Sequence, residues 1–560
     1  MRHFSKWVIV LLLGLFQALN PISAQVVTRD QCLLHLDKSF YVSGEIAWYK
    51  LYLPAFFRDK DLSVRVSVTD QAGHILRSHY LKNAGKTYVE GYYKVPFDLV
   101  TGMYHLVFEG ADKAARKFER LAEAAVPMIS DLGGASSPAA GGPVESSSAT
   151  LTGNLQIEIT LPADTFLCRD QIQPRIAVRD QNGKPVKADI SVAVTDWELC
   201  GPKASGRSNI GVTSGLDPGL AGRLTNALYY RGQWLDGEGK PAAAKVAGAF
   251  SAEDQKLFYT NTDAAGTLFL ELPDFYGSKT VQFLGWEKEN TEISVRMDNT
   301  LNVKQASLPA LSPEVADYLR LSAERKKIFQ YYKMLETGLA VEVPETKPGE
   351  LKPDMKVFPK EFKSFPNVAT FFREVLRPIT FTLKKDGTYD ARIYNDQIQG
   401  LDEYYPEKPL FIVDNKITRD VDFVAKMDLS LVEQVDLFFR FQTLRSQFNV
   451  LGSNGVVRVI TSADDIAVPA AEEEDIFTVT GLQPEAVFPG FEPSSMAAHQ
   501  PFFRPQLYWN PRVETDNQGK ATFSYYQSDE VSRFRIQVVA HGENGEYGIA
   551  ERVYWVRMER

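Results

Sequence analysis

Two short apolar segments decide how the centre of this 560-residue chain folds. The first is PLFIVDN at residues 409–415, and the second is LGSNGVVRVIT at residues 451–461. Both are rich in β-branched residues and bounded by turn-forming residues, a pattern typical of buried strands. Between them, the sequence predicts a short capped helix over Asp428 to Val435 that leads into a strand, Gln434 to Phe439. We therefore expect a small α/β domain, with limits at residues 361–465.

This segment resembles the plug domain of TonB-dependent outer-membrane receptors. In that family, a strand ending in Val-Asp-Gly and a later Gly-containing strand ending in Thr belong to one sheet. Residues 409–415 and 451–461 match both patterns and their spacing, although Asn415 stands where the family usually has Gly. Too few residues follow Thr461 for the many strands of ~9–11 residues that a membrane barrel needs. The resemblance therefore implies a plug-like domain without a pore, and an adaptor rather than a transporter.

The first 24 residues predict a secretory signal peptide. Arg2 and Lys6 provide positive charge, and an apolar run at residues 7–16 precedes the small-residue site Ile22-Ser23-Ala24. The run is shorter than the ~20 residues of a membrane-spanning helix. Position 25 is Gln rather than Cys, so the lipoprotein signal is missing. We expect a chain secreted across the inner membrane, to the periplasm or in association with the outer membrane.

Charge and cysteine content narrow the possible partners. The formal charge is −9, and loss of Arg2 and Lys6 with the signal would make it −11, which argues against nucleic acid and gives no reason for binding to anionic lipid. Cys168 and Cys200 fall in one predicted domain of an exported chain. They either form a disulfide or, with Cys32, remain buried thiols.

Residues 25–129 predict a β-sandwich. The segment SVRVSVT at residues 63–69 alternates strictly, as a half-buried strand does. The segment HLDKSFYVSGEIAWYK at residues 35–50 resembles the opening of MG2 domains in bacterial relatives of alpha-2-macroglobulin. Gly44 is a turn residue and Tyr41 and Tyr104 are expected core anchors, so we assign none of them to a site.

The rest of the chain continues the β pattern. The fold class we predict is mainly β, with several β-sandwich domains of macroglobulin or Ig-like type and one small α/β plug-like domain. The strand SVAVTD (191–196) resembles a second macroglobulin-like domain, and TDAAGTLF (262–269) resembles a hairpin of carboxypeptidase-regulatory-like domains. A linker at 130–153 precedes the second macroglobulin-like domain at 154–227, which contains a hairpin turn at Asn182-Gly183 and a loop at 203–227. The carboxypeptidase-regulatory-like sandwich covers 228–300, and a helix and linker cover 301–360. After the plug-like domain, an extended linker at 466–505 leads to a C-terminal β domain at 506–560.

The C-terminal segment is short for an independent sandwich. We hypothesise that it borrows strands from an earlier segment, with residues 292–303 as the candidate, so that the plug-like domain is an insertion.

Two helices are predicted, the first from its caps and the second as a helix stopped by Pro378. One begins with Ser312 as N-cap and Pro313 at the first position and ends at Gly338. The other covers Asn367 to Leu376 and precedes a hairpin. The first helix has an imperfect apolar stripe, composed of Val315, Tyr318, Leu319, Leu321, Ile328, Tyr332 and Leu335.

Known catalytic patterns do not occur in the sequence. A macroglobulin thioester needs Cys-Gly-x-Gln, and residues 200–203 read Cys-Gly-Pro-Lys. Zincin, nucleophile-elbow and P-loop motifs are missing as well. Asp263 invites a metal hypothesis, but a tight turn explains it better. The histidines are scattered, with His35, His74, His79 and His105 in or beside predicted strands. We therefore predict no enzyme, no cofactor, and no catalytic, cofactor-binding or metal-binding residue.

The favoured hypothesis is a non-enzymatic cell-envelope scaffold or adaptor of Bacteroidetes type. The plug-like domain would bind an outer-membrane partner, a TonB-dependent transporter or related barrel. The alternative is a thioester-less, macroglobulin-like protease-binding defence protein with a bait loop in residues 203–227 or 130–153. A hydrolase with a site assembled from distant residues is a third possibility that no motif supports. The oligomeric state stays open.

Overall fold

A computed structural model describes most of the chain. The described residues are 25–131, 151–201, 207–285, 294–332, 339, 341, 343–344, 349–397, 403–462, 466, 468, 476–490, 492–496 and 500–558. The predicted signal peptide and most of the linker at 130–153 lie outside them. Strands account for 45% of the structure and helices for 13%, which confirms the predicted mainly-β class. Within the described part, we find no helix with the length and apolar character needed to span a bilayer.

The first unit, sandwich A, packs two sheets face to face around an apolar core that includes Tyr49, Val66 and Phe108. The strand Ser63–Thr69 forms as predicted and pairs antiparallel with its successor. It is buried on both faces, however, so the half-buried strand expected from its alternation is wrong in burial. In spatial order, the first sheet contains Ile210–Val212, Leu33–Leu36, Ile46–Tyr52 and Tyr88–Lys94, and the second contains Tyr41–Val42, Lys117–Ile129, Gly102–Asp112, Ser63–Thr69 and Ile75–Lys82. Part of the loop expected at 203–227 therefore supplies an edge strand of this sandwich.

The second unit, sandwich B, is built from two distant parts of the chain. Ala188–Asp196 lies inside its larger sheet, paired on one side with Gln506–Glu514 and on the other with Arg533–Gly542. The sheets, in spatial order, are Thr165–Leu167, Tyr547–Arg557, Arg533–Gly542, Ala188–Asp196 and Gln506–Glu514; Gln156–Thr160, Arg175–Arg179 and Lys520–Thr522; and the pair Gln171–Ile172 and Tyr525–Tyr526.

This topology corrects one sequence expectation and confirms another. The C-terminal segment does pair with earlier strands, but these lie at residues 156–196 and not at 292–303, where Ser294–Met297 pairs instead with Leu228–Leu235. The turn at Asn182-Gly183 forms, with Gly183 at a φ of 80°. It closes a short hairpin, because the Asp180 nitrogen donates to the Lys184 carbonyl at 2.9 Å and the Val186 nitrogen donates to the Val178 carbonyl at 3.1 Å. The longer strands on its two sides, Arg175–Arg179 and Ala188–Asp196, then belong to different sheets.

The third unit, sandwich C, also recruits a distant strand. Ile476–Thr480 falls within the extended linker expected at 466–505, yet it pairs antiparallel with Ser278–Gly285. Asp263 builds a turn, because its Oδ1 accepts hydrogen bonds from the backbone nitrogens of Ala265 and Thr267 at 2.9 and 2.8 Å. The sheets are Thr267–Leu272, Leu228–Leu235 and Ser294–Met297, and Lys256–Asn261, Val246–Ser251, Ser278–Gly285 and Ile476–Thr480.

The fourth unit, which we call the α/β unit, contains the two segments that opened the sequence analysis. Leu410–Val413 and Val456–Thr461 are parallel neighbours in one sheet. The sheet order is Met355–Val357, Val432–Phe438, Val456–Thr461, Leu410–Val413 and Lys416–Thr418; the helices are Val368–Val375, Val421–Lys426 and Phe441–Gln447; and a separate hairpin joins Ile379–Leu383 to Tyr389–Ile393.

The helix expected over Asp428 to Val435 is wrong in position. The α-helix lies at Val421–Lys426, because the Asp420 side chain caps it by accepting from the Phe423 nitrogen at 2.9 Å. Asp428 caps only a single 3₁₀ turn, Leu429–Leu431, and the chain is already a strand at residue 432. The strand Met355–Val357 is a second correction, since it lies within the linker expected at 301–360.

The units are nested along the chain. The α/β unit lies between two strands of sandwich C, Ser294–Met297 and Ile476–Thr480. Sandwich C itself lies between the two parts of sandwich B. The chain thus leaves one sandwich unfinished, builds a second, inserts a third structure into that, and then completes each in reverse order.

One long helix, Pro313–Tyr331, lies against sandwiches A and B. Ser312 caps it as predicted, with its Oγ accepting from the Val315 nitrogen at 3.2 Å. The expected apolar stripe is only partly right, because Ser322 and Arg325 are buried on the same face as Val315 and Tyr318. Polar partners explain this: Ser322 donates to Asp131, and Arg325 pairs with Glu530.

Candidate partner-binding surface

The α/β unit is fixed to sandwich C by one edge of its sheet. At that edge, the Ile417 nitrogen donates to Gln282 Oε1 at 2.7 Å, and Gln282 Nε2 donates to the Ile417 carbonyl at 3.0 Å. Leu451 fills the space beside Gly248, where any side chain would collide with it. Since the Gln282 amide satisfies the backbone groups of the edge strand, this edge is closed to further strands.

The residues that carry the plug-like resemblance have structural roles. Asp414 and Asn415 have φ angles of 44° and 70°, so they form the tight turn after Leu410–Val413. Asn tolerates this left-handed conformation better than most residues, which explains how it replaces Gly. Its Oδ1 also accepts from Gln255 Nε2 of sandwich C at 2.7 Å. The Asp414 carboxylate accepts from the nitrogen and hydroxyl of Thr461 at 2.8 and 2.5 Å, which links the two segments.

The opposite edge of the sheet is unpaired. Met355–Val357 pairs with Val432–Phe438 on its inner side, and no described strand pairs with its outer side. The surrounding segment, residues 351–363, carries an excess of lysine. Of its two acidic residues, Asp354 is engaged, since it accepts from the nitrogens of Phe439 and Arg440. Its exposed cations are Lys352, Lys356, Lys360 and Lys363.

Two aromatic residues stand exposed beside this edge. Phe358 is 40% exposed and Phe362 is 44% exposed. The Phe362 ring lies 5.6 Å from the buried ring of Phe371, which holds it in place. We call the strand Met355–Val357, the four lysines and these two aromatics the basic edge. Sequence reasoning missed it; the available signal was the polar–apolar alternation Asp-Met-Lys-Val at residues 354–357, followed by Phe358 and Pro359.

A serine–histidine pair does occur, but it is sealed inside the molecule. His35 Nδ1 lies 2.6 Å from Ser191 Oγ, and His35 Nε2 lies 3.0 Å from Gln537 Oε1. All three side chains are buried, and an amide stands where a nucleophilic triad would have a carboxylate. Burial lowers the pKa of His35 to about 3, so the ring is neutral near pH 7. Because no substrate can reach it, this network serves to join sandwich A to sandwich B.

The other residues singled out by sequence have local partners. His74 bonds to Asp70 at 2.9 Å, His79 to the Tyr49 hydroxyl at 2.7 Å, and His105 to Glu123 at 3.1 Å. Across the described ranges, no group of three or more His, Cys, Asp or Glu side chains is placed to hold a metal ion.

The three cysteines are unbridged. Cys200 packs with Phe40 and Tyr318 in an apolar cluster, and burial raises the pKa of its thiol far above the ordinary value. Cys168 instead packs at the margin of the core of sandwich B. The alternative of buried thiols therefore holds for Cys32 and Cys200, while Cys168 is half-buried. Lys203, the last residue of the thioester comparison, lies outside the described residues.

The buried His35 makes stability depend on pH. As pH falls below 6.5, the ring takes up a proton in the unfolded chain but resists it in the folded chain down to about pH 3. Stability from the neutral ring is therefore complete above pH 6.5 and is lost as pH falls. Relative to His35→Gln, which cannot titrate, the free energy of unfolding should drop by about 2 kcal/mol between pH 6.5 and 5. Urea titrations of both chains measure this, and parallel pH curves would contradict it.

Comparison with known proteins finds solved structures of low similarity to this chain. No family model matches the chain, and no curated protein does. Among solved structures, Escherichia coli alpha-2-macroglobulin activated by porcine elastase aligns at a TM-score of 0.24 and 9% identity, over 94% of this chain and 44% of that one. Salmonella alpha-2-macroglobulin reacted with methylamine aligns at 0.24 and 8%, over 96% and 40%. The Escherichia coli adhesin FdeC aligns at 0.14 and 13%, over 52% and 67%.

These neighbours do not decide the function. The macroglobulin structures belong to the family that residues 35–50 resemble, but this chain spans less than half of their length and the TM-scores are low. None of the three structures supports the plug-like resemblance or a Bacteroidetes origin. The class that the fold itself defines is a mainly β protein, built of β-sandwiches with one α/β unit.

Proposed function

We propose that this chain is a non-enzymatic adaptor of the cell envelope, and that the basic edge of its α/β unit binds an outer-membrane protein. The observation that supports this is the contrast between the two edges of one sheet: Gln282 closes one, while the other is unpaired by any described strand. A free strand beside exposed aromatics is the kind of surface to which a partner adds a strand. The lysines on an otherwise acidic chain favour a partner segment that is extended and acidic.

Site-specific crosslinking in intact cells tests this proposal. A photo-crosslinking residue in place of Lys356 should capture one outer-membrane protein. The control is the same residue in place of Glu238, an exposed position of sandwich C. Capture of the same proteins at both positions, or of none at 356, would reject the basic edge as the binding surface.

The two exposed aromatics should carry much of the affinity. The double variant Phe358→Ser, Phe362→Ser is expected to weaken capture about tenfold or more, because exposed aromatics at interfaces often contribute about 1–2 kcal/mol or more each. Leu383→Ser is the matched control, since Leu383 is 60% exposed on the hairpin of the same unit. Quantified crosslinked product measures the effect, and equal losses for both variants would point to general destabilisation instead.

Protease binding is the second candidate function. The resemblance of residues 35–50 to macroglobulin domains supports it, and the aligned macroglobulin structures agree with that resemblance without adding weight at their TM-scores. Treatment with elastase or trypsin distinguishes the two candidates. A protease binder should be cut in an exposed loop, change its hydrodynamic radius and retain the protease, whereas an adaptor should be cut without either consequence.

A further inference from the structure

Sandwich A contains a cavity between two edge strands that the proposed function does not use. The strands Ile75–Lys82 and Tyr88–Lys94 belong to different sheets and diverge from the turn that joins them. A cavity of about 180 Å³ lies along them. Exposed Ala84 and Lys86 are among its lining residues, so it reaches the surface. Its wall also includes Trp48, Lys82, Tyr88, Glu90, Trp509 and Arg512.

One part of this space is already filled by the protein's own chain. The Tyr80 nitrogen donates to the Gly481 carbonyl at 3.0 Å, and the Gln483 nitrogen donates to the Tyr80 carbonyl at 2.9 Å. Gln483 also pairs with the other strand: its Oε1 accepts from the Tyr92 nitrogen at 3.1 Å, and its Nε2 donates to the Tyr92 carbonyl at 2.8 Å. Gly91 permits this approach, because a Cβ there would lie 2.6 Å from Gln483 Oε1.

The contact at Tyr92 fixes which backbone groups face the cavity. In an antiparallel pair, alternate residues point their N–H and C=O groups away from the partner strand. Since Tyr92 points to Gln483, Glu90 and Tyr88 point the same way, away from Ile46–Tyr52. Within the described part of the chain, these two residues have no backbone partner on that side. The edge that Gln483 occupies at Tyr92 is therefore open at Tyr88 and Glu90.

Two side-chain atoms in the cavity wall also lack partners among the described residues. Trp509 is 3% exposed, and its Nε1 makes no hydrogen bond. Glu90 Oε2 is buried and unbonded, while Arg512 holds the other carboxylate oxygen. A buried polar atom without a hydrogen bond is costly, so both atoms gain from a ligand that supplies one. The indole needs an acceptor and the carboxylate needs a donor, which are the two groups of a peptide unit.

We infer that this cavity binds an extended peptide segment of a partner protein, which adds as a strand to Tyr88–Lys94 at Tyr88 and Glu90. About three residues of an extended chain span these two positions at ~3.3 Å per residue. The same edge already accepts the amide of Gln483, which is the intramolecular counterpart of the proposed contact. The aromatic walls, with Trp48 and Tyr88, favour an apolar side chain on the segment.

The test uses the full chain and a soluble library of fluorescent hexapeptides. Glu90→Pro removes the outward N–H at an edge position where proline is tolerated, and Glu90→Ala keeps the N–H as the matched control. Selected peptides should bind Glu90→Pro about tenfold more weakly than Glu90→Ala, as expected for one lost hydrogen bond. Trp509→Phe should also weaken binding, and peptide should slow hydrogen exchange of the Glu90 amide.

Three results would overturn the inference. The first is that selection on the full chain enriches no peptide relative to the same library selected on the Glu90→Pro variant. The second is equal affinity of selected peptides for both Glu90 variants, with no protection of the Glu90 amide. The third is binding of glycans on an array, abolished by Trp509→Phe, in the absence of peptide binding; this would assign the cavity to a sugar. Crosslinking at residue 356 is independent of all three outcomes.

Discussion

A chain that stops after Pro505 is expected to lose sandwich B completely. The central strand Ala188–Asp196 would lose both of its neighbours, because each comes from residues after 505. Its side chains Ile190, Val192 and Val194, fully buried in the intact chain, would face water. Burial of each is worth about 1.5–3 kcal/mol, so the remaining strands cannot form a stable sheet. Sandwich C should survive, since all seven of its described strands precede residue 505.

Hydrogen exchange measures this result for each unit separately. Amides of Ala188–Asp196 should exchange rapidly in the shortened chain, while those of Leu228–Leu235 remain protected. Residues 506–560, added as a separate polypeptide, should restore protection, which distinguishes a missing half from general misfolding. A shortened chain that protects residues 188–196 as the full chain does, or a fragment 500–560 that folds cooperatively alone, would contradict the shared sandwich.

Glu530→Ala is expected to destabilise the docked helix by about 3–5 kcal/mol. The Arg325 and Glu530 side chains are 7% and 11% exposed and form an ion pair. Removal of one partner leaves a buried charge without compensation, which is far more costly than removal of both. Tyr318 on the same helix also donates to Glu45 and accepts from Lys38 Nζ at 3.0 Å, so polar contacts add to the apolar packing of Val315 and Tyr318.

The control for this substitution is the double variant Arg325→Met, Glu530→Leu. It removes both charges and keeps similar volumes, so its cost should be near zero or at most about 1 kcal/mol. Urea unfolding, together with hydrogen exchange of Pro313–Tyr331, gives the comparison. Similar losses in the single and double variants would show that packing, and not the unpaired charge, is responsible.

Local features of the fold were predictable from the sequence. The strands Ile379–Leu383 and Tyr389–Ile393, the helix Val368–Val375 and the cap at Ser312 depend on residues close in the chain, and each is found where it was predicted. The two segments of the α/β unit were expected in one sheet and are found there, whereas their parallel pairing was not part of the prediction.

Long-range pairing was not predictable. Ile210–Val212, Met355–Val357 and Ile476–Thr480 are short strands whose stabilising partners lie far away in the chain. Their local signals, such as the alternation at residues 354–357 and the β-branched run at residues 476–480, are too short to show which distant strand each one pairs with. Arg325 illustrates the same limit for side chains, since its burial depends on Glu530, 205 positions away. The basic edge and the cavity were missed for this reason: both arise at outer strand edges that no described strand covers, which is a property of the assembled sheet.

The nested order of the units determines when each strand and its partners become available for folding. During synthesis, Ala188–Asp196 emerges before its neighbours, and roughly 300 residues must follow before Gln506–Glu514 arrives. Loop closure over that distance adds little free energy, since each doubling of loop length costs only about 0.6 kcal/mol. The delay matters more than the free energy of loop closure. An apolar strand with two unpaired edges stays exposed while the other units form, and such a strand tends to associate with other chains. The arrival of residues 506–557 ends this exposure, so the risk of association follows from the nested topology rather than from any single sequence motif.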